Sequence, residues 1–137
     1  MHKTQIEVPT RGQGLYDITA EIAEVVRGSG VSEGLALIFV LHTTASLVIQ
    51  ENYDPKVQHD FLSFFQRLVP EGHPRYTHDD EGPDDMPSHL RTALTHTSEV
   101  IPVDAGRLVL GTWQAVYLFE HRRAPHRRRV DVRVMAG

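Results

Sequence analysis

Cysteine is absent from all 137 residues. That excludes disulfides, thiolate nucleophiles and zinc-ribbon sites, and leaves His, Asp and Glu as the side chains able to hold a metal ion. Long apolar runs are missing too: the longest, Leu35 to Leu41, is far too short to span a bilayer. The start, Met1 to Pro9, is polar and strand-like, without a positive segment followed by an apolar one. No secretory signal or membrane partner is therefore expected, and the cytoplasm is the expected compartment. Lysine is scarce, at positions 3 and 56 only, so the basic charge of the chain is carried by arginine.

What is present is ordinary for a globular domain. An apolar fraction of 40% and a charged fraction of 23% suit a chain that folds around one core, and the length suits a single domain over residues 1–137. The net charge of -4 hides two clusters. Acid gathers at Asp79, Asp80, Glu81, Asp84 and Asp85, and base at Arg122, Arg123, Arg127, Arg128, Arg129 and Arg133. The basic cluster overlaps a stretch in which Val130, Val132 and Val134 alternate with Arg129, Asp131 and Arg133, the pattern of a half-buried strand. Nucleic acid is accordingly not expected as a partner, and Arg128 is expected to contribute little to stability.

Lys3 to Val8 reads as a first strand, followed by a turn at residues 11–14. Asp17 or Thr19 caps a helix with Ile18, Ile22, Val25 and Val26 on its apolar face. Leu35 to Leu41 is a buried strand, with Ser46 to Gln50 as its expected hairpin partner. Asp54 and Pro55 open a second helix, with Val57, Phe61, Phe64, Phe65 and Leu68 on one face and Pro70 as its stop. Residues 71–84 form a long polar loop of the kind that is usually functional or disordered. A third helix follows around Met86 to Thr95, with Leu90, Ala93 and Leu94 inward. Val100 to Val103, Leu108 to Leu110, Thr112 to Phe119 and Arg128 to Val134 supply further strands. The fold class is α+β, a mixed, mostly antiparallel sheet with about three helices.

Nine histidines are the chemical peculiarity of the chain. His42 ends a strand, His78 lies in the acidic loop, His89 opens the third helix and His121 follows the strand ending at Phe119. Neutral imidazole is a common protein ligand for zinc, and imidazoles backed by carboxylates suit zinc, nickel, cobalt or manganese. His42, His78, His89 and His121 are the candidate ligands of a divalent ion, zinc first among them. The spacing from His78 to His89 matches no compact metal motif. His2, His59, His73 and His96 read as ordinary structural or exposed histidines, and His126 is left open. Glu51, at the end of a strand, is a candidate base, ligand or turn residue. Asp85 has two readings, pocket carboxylate or helix cap. Trp113 on a strand suits a core position as well as a ligand platform.

The run His42-Thr43-Thr44-Ala45-Ser46 with Glu51-Asn52, then Asp84-Asp85-Met86-Pro87-Ser88-His89, Ile101-Pro102-Val103 with Gly106-Arg107-Leu108, Leu110-Gly111-Thr112-Trp113-Gln114 and Glu120-His121-Arg122 resembles the YjbQ family. The resemblance covers nearly the whole chain in order. It implies an α+β homotrimer with a metal-associated, histidine-rich pocket near the subunit interface and a weak, secondary thiamine-phosphate synthase activity. Within it, Glu51, Asp85 and Arg122 stand as catalytic candidates. Arg107, Trp113 and Gln114 stand as binding candidates for a phosphorylated small-molecule substrate. A divalent ion with Arg107 and Arg122 would neutralise a leaving pyrophosphate. A metal-assisted hydrolase, or a binding or scaffold protein with a structural metal, are the alternatives, since no Gly-rich phosphate loop is present.

Overall fold

A computed structural model describes all 137 residues. The elements run β1 (His2–Thr10), β2 (Gly14–Asp17), α1 (Thr19–Ser29), β3 (Gly34–Val40), β4 (Ala45–Glu51), α2 (Pro55–Leu68), α3 (Asp85–Leu94), β5 (Ser98–Asp104), β6 (Arg107–Leu108), β7 (Gln114–Glu120) and β8 (His126–Ala136). They form two sheets, β1-β8-β3-β5-β6 and β2-β7-β4, in which every pairing is antiparallel. This is the expected α+β domain with three helices. No helix is long and apolar enough to cross a membrane.

Alternation builds the larger sheet. Ala36, Ile38 and Val40 of β3, Val130, Val132 and Val134 of β8, and Ile101 and Val103 of β5 point inward, because successive strand side chains face opposite ways. Beneath them lie Ile22, Val25 and Val26 of α1 and Leu47, Val116 and Leu118 of the smaller sheet. The opposite face of that smaller sheet carries Val48, Ala115, Tyr117 and Phe119, which α2 covers with Phe61 and Phe65. Both faces of β7 are thus buried, which is why Ala115 to Phe119 reads as unbroken apolar sequence rather than as an alternation. Between β5 and β6, Ala105 and Gly106 take φ values of 51° and 75°, the tight turn that a two-residue hairpin loop requires.

Five local expectations change. Ser46 to Gln50 does not pair with Leu35 to Leu41: β4 pairs with β7, and residues 41–44 carry the chain from one sheet to the other. A short strand, β2, follows directly on the turn at residues 11–14 and pairs with β7. Two expected strands shift: Leu108 to Leu110 becomes Arg107–Leu108, and the turn at Gly111 delays the start of the next from Thr112 to Gln114. In α3 the inward face is polar: Asp85, Ser88, Arg91 and Thr92 are buried, whereas Ala93 is exposed and Leu94 is 59% exposed. In α2 likewise only Phe65 is fully buried, while Phe64 and Leu68 face outward.

The basic cluster is largely neutralised within the chain. Arg122 pairs with Asp84 and Asp85, Arg123 with Glu71, Arg127 with Glu7, Arg128 with Glu120 and Arg133 with Asp131.

Candidate functional site

The site is built on the first turn of α3. Asp85 is the first residue of the helix and His89 lies one turn on, so the two side chains share a face. The 71–84 loop delivers His78 to the same point. His78 Nε2 lies 2.5 Å from Asp85 Oδ2, and His89 Nε2 lies 3.4 Å from that same oxygen. The two rings stand edge to face with centroids 5.4 Å apart. One potential ligand atom from each of the three residues falls within 4.8 Å of the others. Glu81 Oε2 stands 3.7 Å from His78 Nε2, a further carboxylate within reach.

Arginine holds this carboxylate in place. Arg122 Nη1 donates to Asp85 Oδ1 at 2.6 Å, Nε donates to Asp84 Oδ2 at 2.9 Å, and Nη2 donates to the Glu81 carbonyl. Asp84 also accepts the Arg123 backbone N–H. Burial alone would raise the pKa of Asp85, but the hydrogen bond from His78 and the charge of Arg122 hold it below the ordinary carboxylate value. The same contest runs at Asp84, where the Arg123 amide and Arg122 prevail over burial. The bond to Asp85 in turn raises the pKa of His78. Beside His78 opens a cavity of about 350 Å³ lined by the 71–84 loop, including His73, Tyr76 and Asp79, and by Met86 of α3. Two imidazoles and one carboxylate, with neighbouring open volume, form a set able to hold a divalent ion and leave positions for a ligand.

The structure brings His78, His89, Asp85 and Arg122 together and leaves the other candidates elsewhere. His42 lies at the crossing between sheets, where its Nε2 accepts the Arg129 backbone N–H at 2.8 Å. Burial, then Arg128 and Arg129, lower its pKa. His121 faces the interior, with Nε2 2.9 Å from Ser46 Oγ and its ring against Phe119. Burial, with the charges of Arg91 and Arg128, lowers its pKa to about 3, so it is a neutral core imidazole at any ordinary pH. Glu51 accepts the Asp54 backbone N–H just ahead of α2, a local contact at a helix start. Trp113 is exposed and packs edge-on against Tyr53, and Gln114 Oε1 closes the turn by accepting the Gly111 N–H. Arg107 lines a separate groove of about 910 Å³ between the end of α1 and the β5–β6 hairpin.

Two features escape a reading of sequence alone. Asp84 and Glu81 join the site through Arg122, a contact 38 residues apart in sequence for Asp84, and nothing local signals it. The buried network of Glu120, Arg128, Thr10 and Thr44 overturns the expectation that Arg128 contributes little to stability, and it had a signal: Arg128 shares the parity of Val130, Val132 and Val134, which places it on the inward face.

Comparison with known proteins supplies the context. The chain is 53% identical over 133 residues to the UPF0047 protein sll1880 of Synechocystis sp., covering 97% of this chain and 90% of that one. It is 41% identical over 122 residues to the UPF0047 protein YjbQ of Escherichia coli O157:H7, covering 88% of each. Its fold superposes on the hypothetical protein APE1520 from Aeropyrum pernix K1 with a TM-score of 0.90, 30% identity and full coverage of both chains. The profile of the UPF0047 protein YjbQ-like family matches residues 4–137, and the chain, with its paired histidines on the α3 carboxylate, belongs to that family.

Proposed function

We propose that His78, Asp85 and His89 bind a divalent transition ion, zinc by preference, and that the protein uses it on a phosphorylated small molecule held in the cavity beside His78. The observation that carries this reading is the convergence of two imidazole nitrogens on a single buried carboxylate oxygen. Three protein ligands leave at least one tetrahedral position open, as a catalytic site requires and a closed structural site does not. The ion would polarise a phosphate or carbonyl oxygen and acidify a bound water. Arg122 is committed to Asp84 and Asp85, so its part is to position the carboxylate. Transfer chemistry such as thiamine-phosphate formation belongs to this class, as does a metal-assisted hydrolysis, and a cytoplasmic setting suits both.

Zinc titration by calorimetry tests the reading. His78→Ala and His89→Ala are expected to lower the affinity by about 100-fold or more, beyond the 10–100-fold typical of a supporting partner. His42→Ala, His59→Ala and His121→Ala are expected to leave it within about threefold. Imidazole must be neutral to bind, and Asp85 raises the pKa of His78 above 6.5. Protons therefore compete from above that value, and the wild-type affinity falls steadily as pH is lowered through it. Equal affinity in all five variants would refute the site.

The assembly we infer is a homotrimer. Leu35 and Phe39 of β3 and Val100 of β5 stand on the outward face of the larger sheet, where Leu37 pairs with Val100 and Leu35 with Pro102. A contiguous apolar face of this kind is what a closed, cyclic assembly buries. Light scattering at micromolar concentration is expected to return three times the 15.5 kDa chain mass; a monomer mass would exclude the trimer.

A further inference from the structure

Arg91 is a buried cation without an ion-pair partner. It is 4% exposed in the middle of α3, and its guanidinium makes one hydrogen bond, from Nη2 to the Val69 carbonyl at 2.8 Å. Nε has no partner, and no carboxylate lies within ion-pair distance. The nearby acids are engaged elsewhere. Glu71 is held by Arg123 and Gln13, and Glu120 by Arg128, Thr10 and the Arg122 amide. Leaving a buried charge unpaired is among the costliest arrangements in a protein, and a fold that keeps one ordinarily supplies a counter-charge.

Arg91 lines a cavity of about 130 Å³ with Gln13, Gln66, Leu62, Phe65, Phe119 and Glu120, the last a carboxylate whose charge is already matched by Arg128. At about 30 Å³ per water this is room for roughly four waters, or for one compact tetrahedral oxyanion. The Gln66 side chain makes no hydrogen bond within the chain and offers an amide donor at its edge, while Leu62, Phe65 and Phe119 provide a wall that strengthens charge pairing. Planar guanidinium matches a phosphate oxygen pair in geometry as well as charge.

We propose that this cavity is a phosphate subsite in which Arg91 is the anchoring cation and Gln66 a flanking donor. The proposal deepens the phosphorylated-substrate part of the reading above by assigning a phosphate to the Arg91 cavity, which shares no lining residue with the cavity beside His78. It does not depend on the metal. The test is therefore run in a chelator, with His89→Ala as a parallel background, so that loss of the metal site and loss of the phosphate site are read separately.

The measurement is a titration with inorganic phosphate, and separately with glycerol phosphate, followed by ³¹P NMR and by the rise in Tm at constant ionic strength. Wild type and His89→Ala are expected to bind in the millimolar range or tighter. Arg91→Met is expected to bind at least about tenfold more weakly, and Arg91→Lys, which keeps the charge, to retain binding. If Arg91→Met does not fold, Gln66→Glu, at an exposed position, places a negative charge at the cavity edge and is expected to weaken phosphate by a similar factor. Binding of both probes marks a subsite for a phosphate ester, and binding of inorganic phosphate alone a site for the free ion. No binding by wild type, or equal binding by wild type and whichever of Arg91→Met and Gln66→Glu is folded, overturns the proposal.

Discussion

Arg128→Ala is expected to destabilise the fold by about 3–5 kcal/mol, the cost of stranding a buried charge. The side chains of Arg128 and Glu120 are 4% and 0% exposed. They meet in a forked pair, Nη2 to Oε2 at 2.5 Å and Nε to Oε1 at 2.7 Å. Thr10 donates to the same carboxylate at 2.6 Å, and Arg128 also donates to Thr44. Burial would raise the pKa of Glu120, but Arg128 and Thr10 hold it below the ordinary value. A carboxylate with a depressed folded pKa contributes its stability above the unfolded pKa and loses it as pH falls through the folded one. In Arg128→Ala burial is no longer opposed by a charge, the folded pKa of Glu120 rises above the unfolded one, and the variant should gain relative stability on acidification. Urea unfolding of wild type and variant between pH 5 and 8 checks both the size and the sign. A loss under about 1 kcal/mol would mean that water reaches the pair. The double replacement Arg128→Met with Glu120→Leu should recover most of the loss, because it removes both charges together.

Asp85→Ala is expected to abolish zinc binding at the proposed site and loosen the loop that carries His78. The Asp85 side chain is 2% exposed and is shared among His78, His89 and Arg122. Its removal takes away one donor and the element that orients the other two, so zinc affinity should fall by well over about 100-fold. The effect on stability is smaller, about 1–3 kcal/mol, since Arg122 keeps its bond to Asp84. Asp85→Asn separates the two effects. It preserves an acceptor for a histidine N–H and so most of the stability, yet lacks the charge a divalent ion requires. Calorimetric zinc titration beside thermal unfolding of both variants decides it, and zinc affinity in Asp85→Asn equal to wild type would remove the carboxylate from the proposed site.

Much of the scaffold was legible in local pattern. Asp54 and Pro55 announced α2, and Asp54 indeed accepts the Lys56 N–H. The valine alternation announced β8. The loop at 71–84 was marked by its Pro, Gly and acid content, and it supplies His78 to the site. The errors fell where burial overrode local hydrophobicity. Leu90, Ala93 and Leu94 suggested an apolar inner face for α3, but that helix turns Asp85, Ser88, Arg91 and Thr92 inward. Its partners there are the arginine of the 121–123 segment, the Val69 carbonyl and the end of β4, all polar.

Composition and periodicity by themselves determined an α+β chain without thiols, in which any metal ligand would be imidazole or carboxylate, and they marked where those groups sit. Only the tertiary structure decided which of them meet. His42 and His121 look like His89 in sequence, because each follows or opens an element, and nothing local sets the loop residue His78 above them. The separation arises from sheet assignment: β4 joins β7 rather than β3, which leaves His42 at the crossing and turns His121 inward onto Ser46. Strand pairing of this kind is a long-range choice set by which apolar faces can be buried together, and no window of sequence contains it.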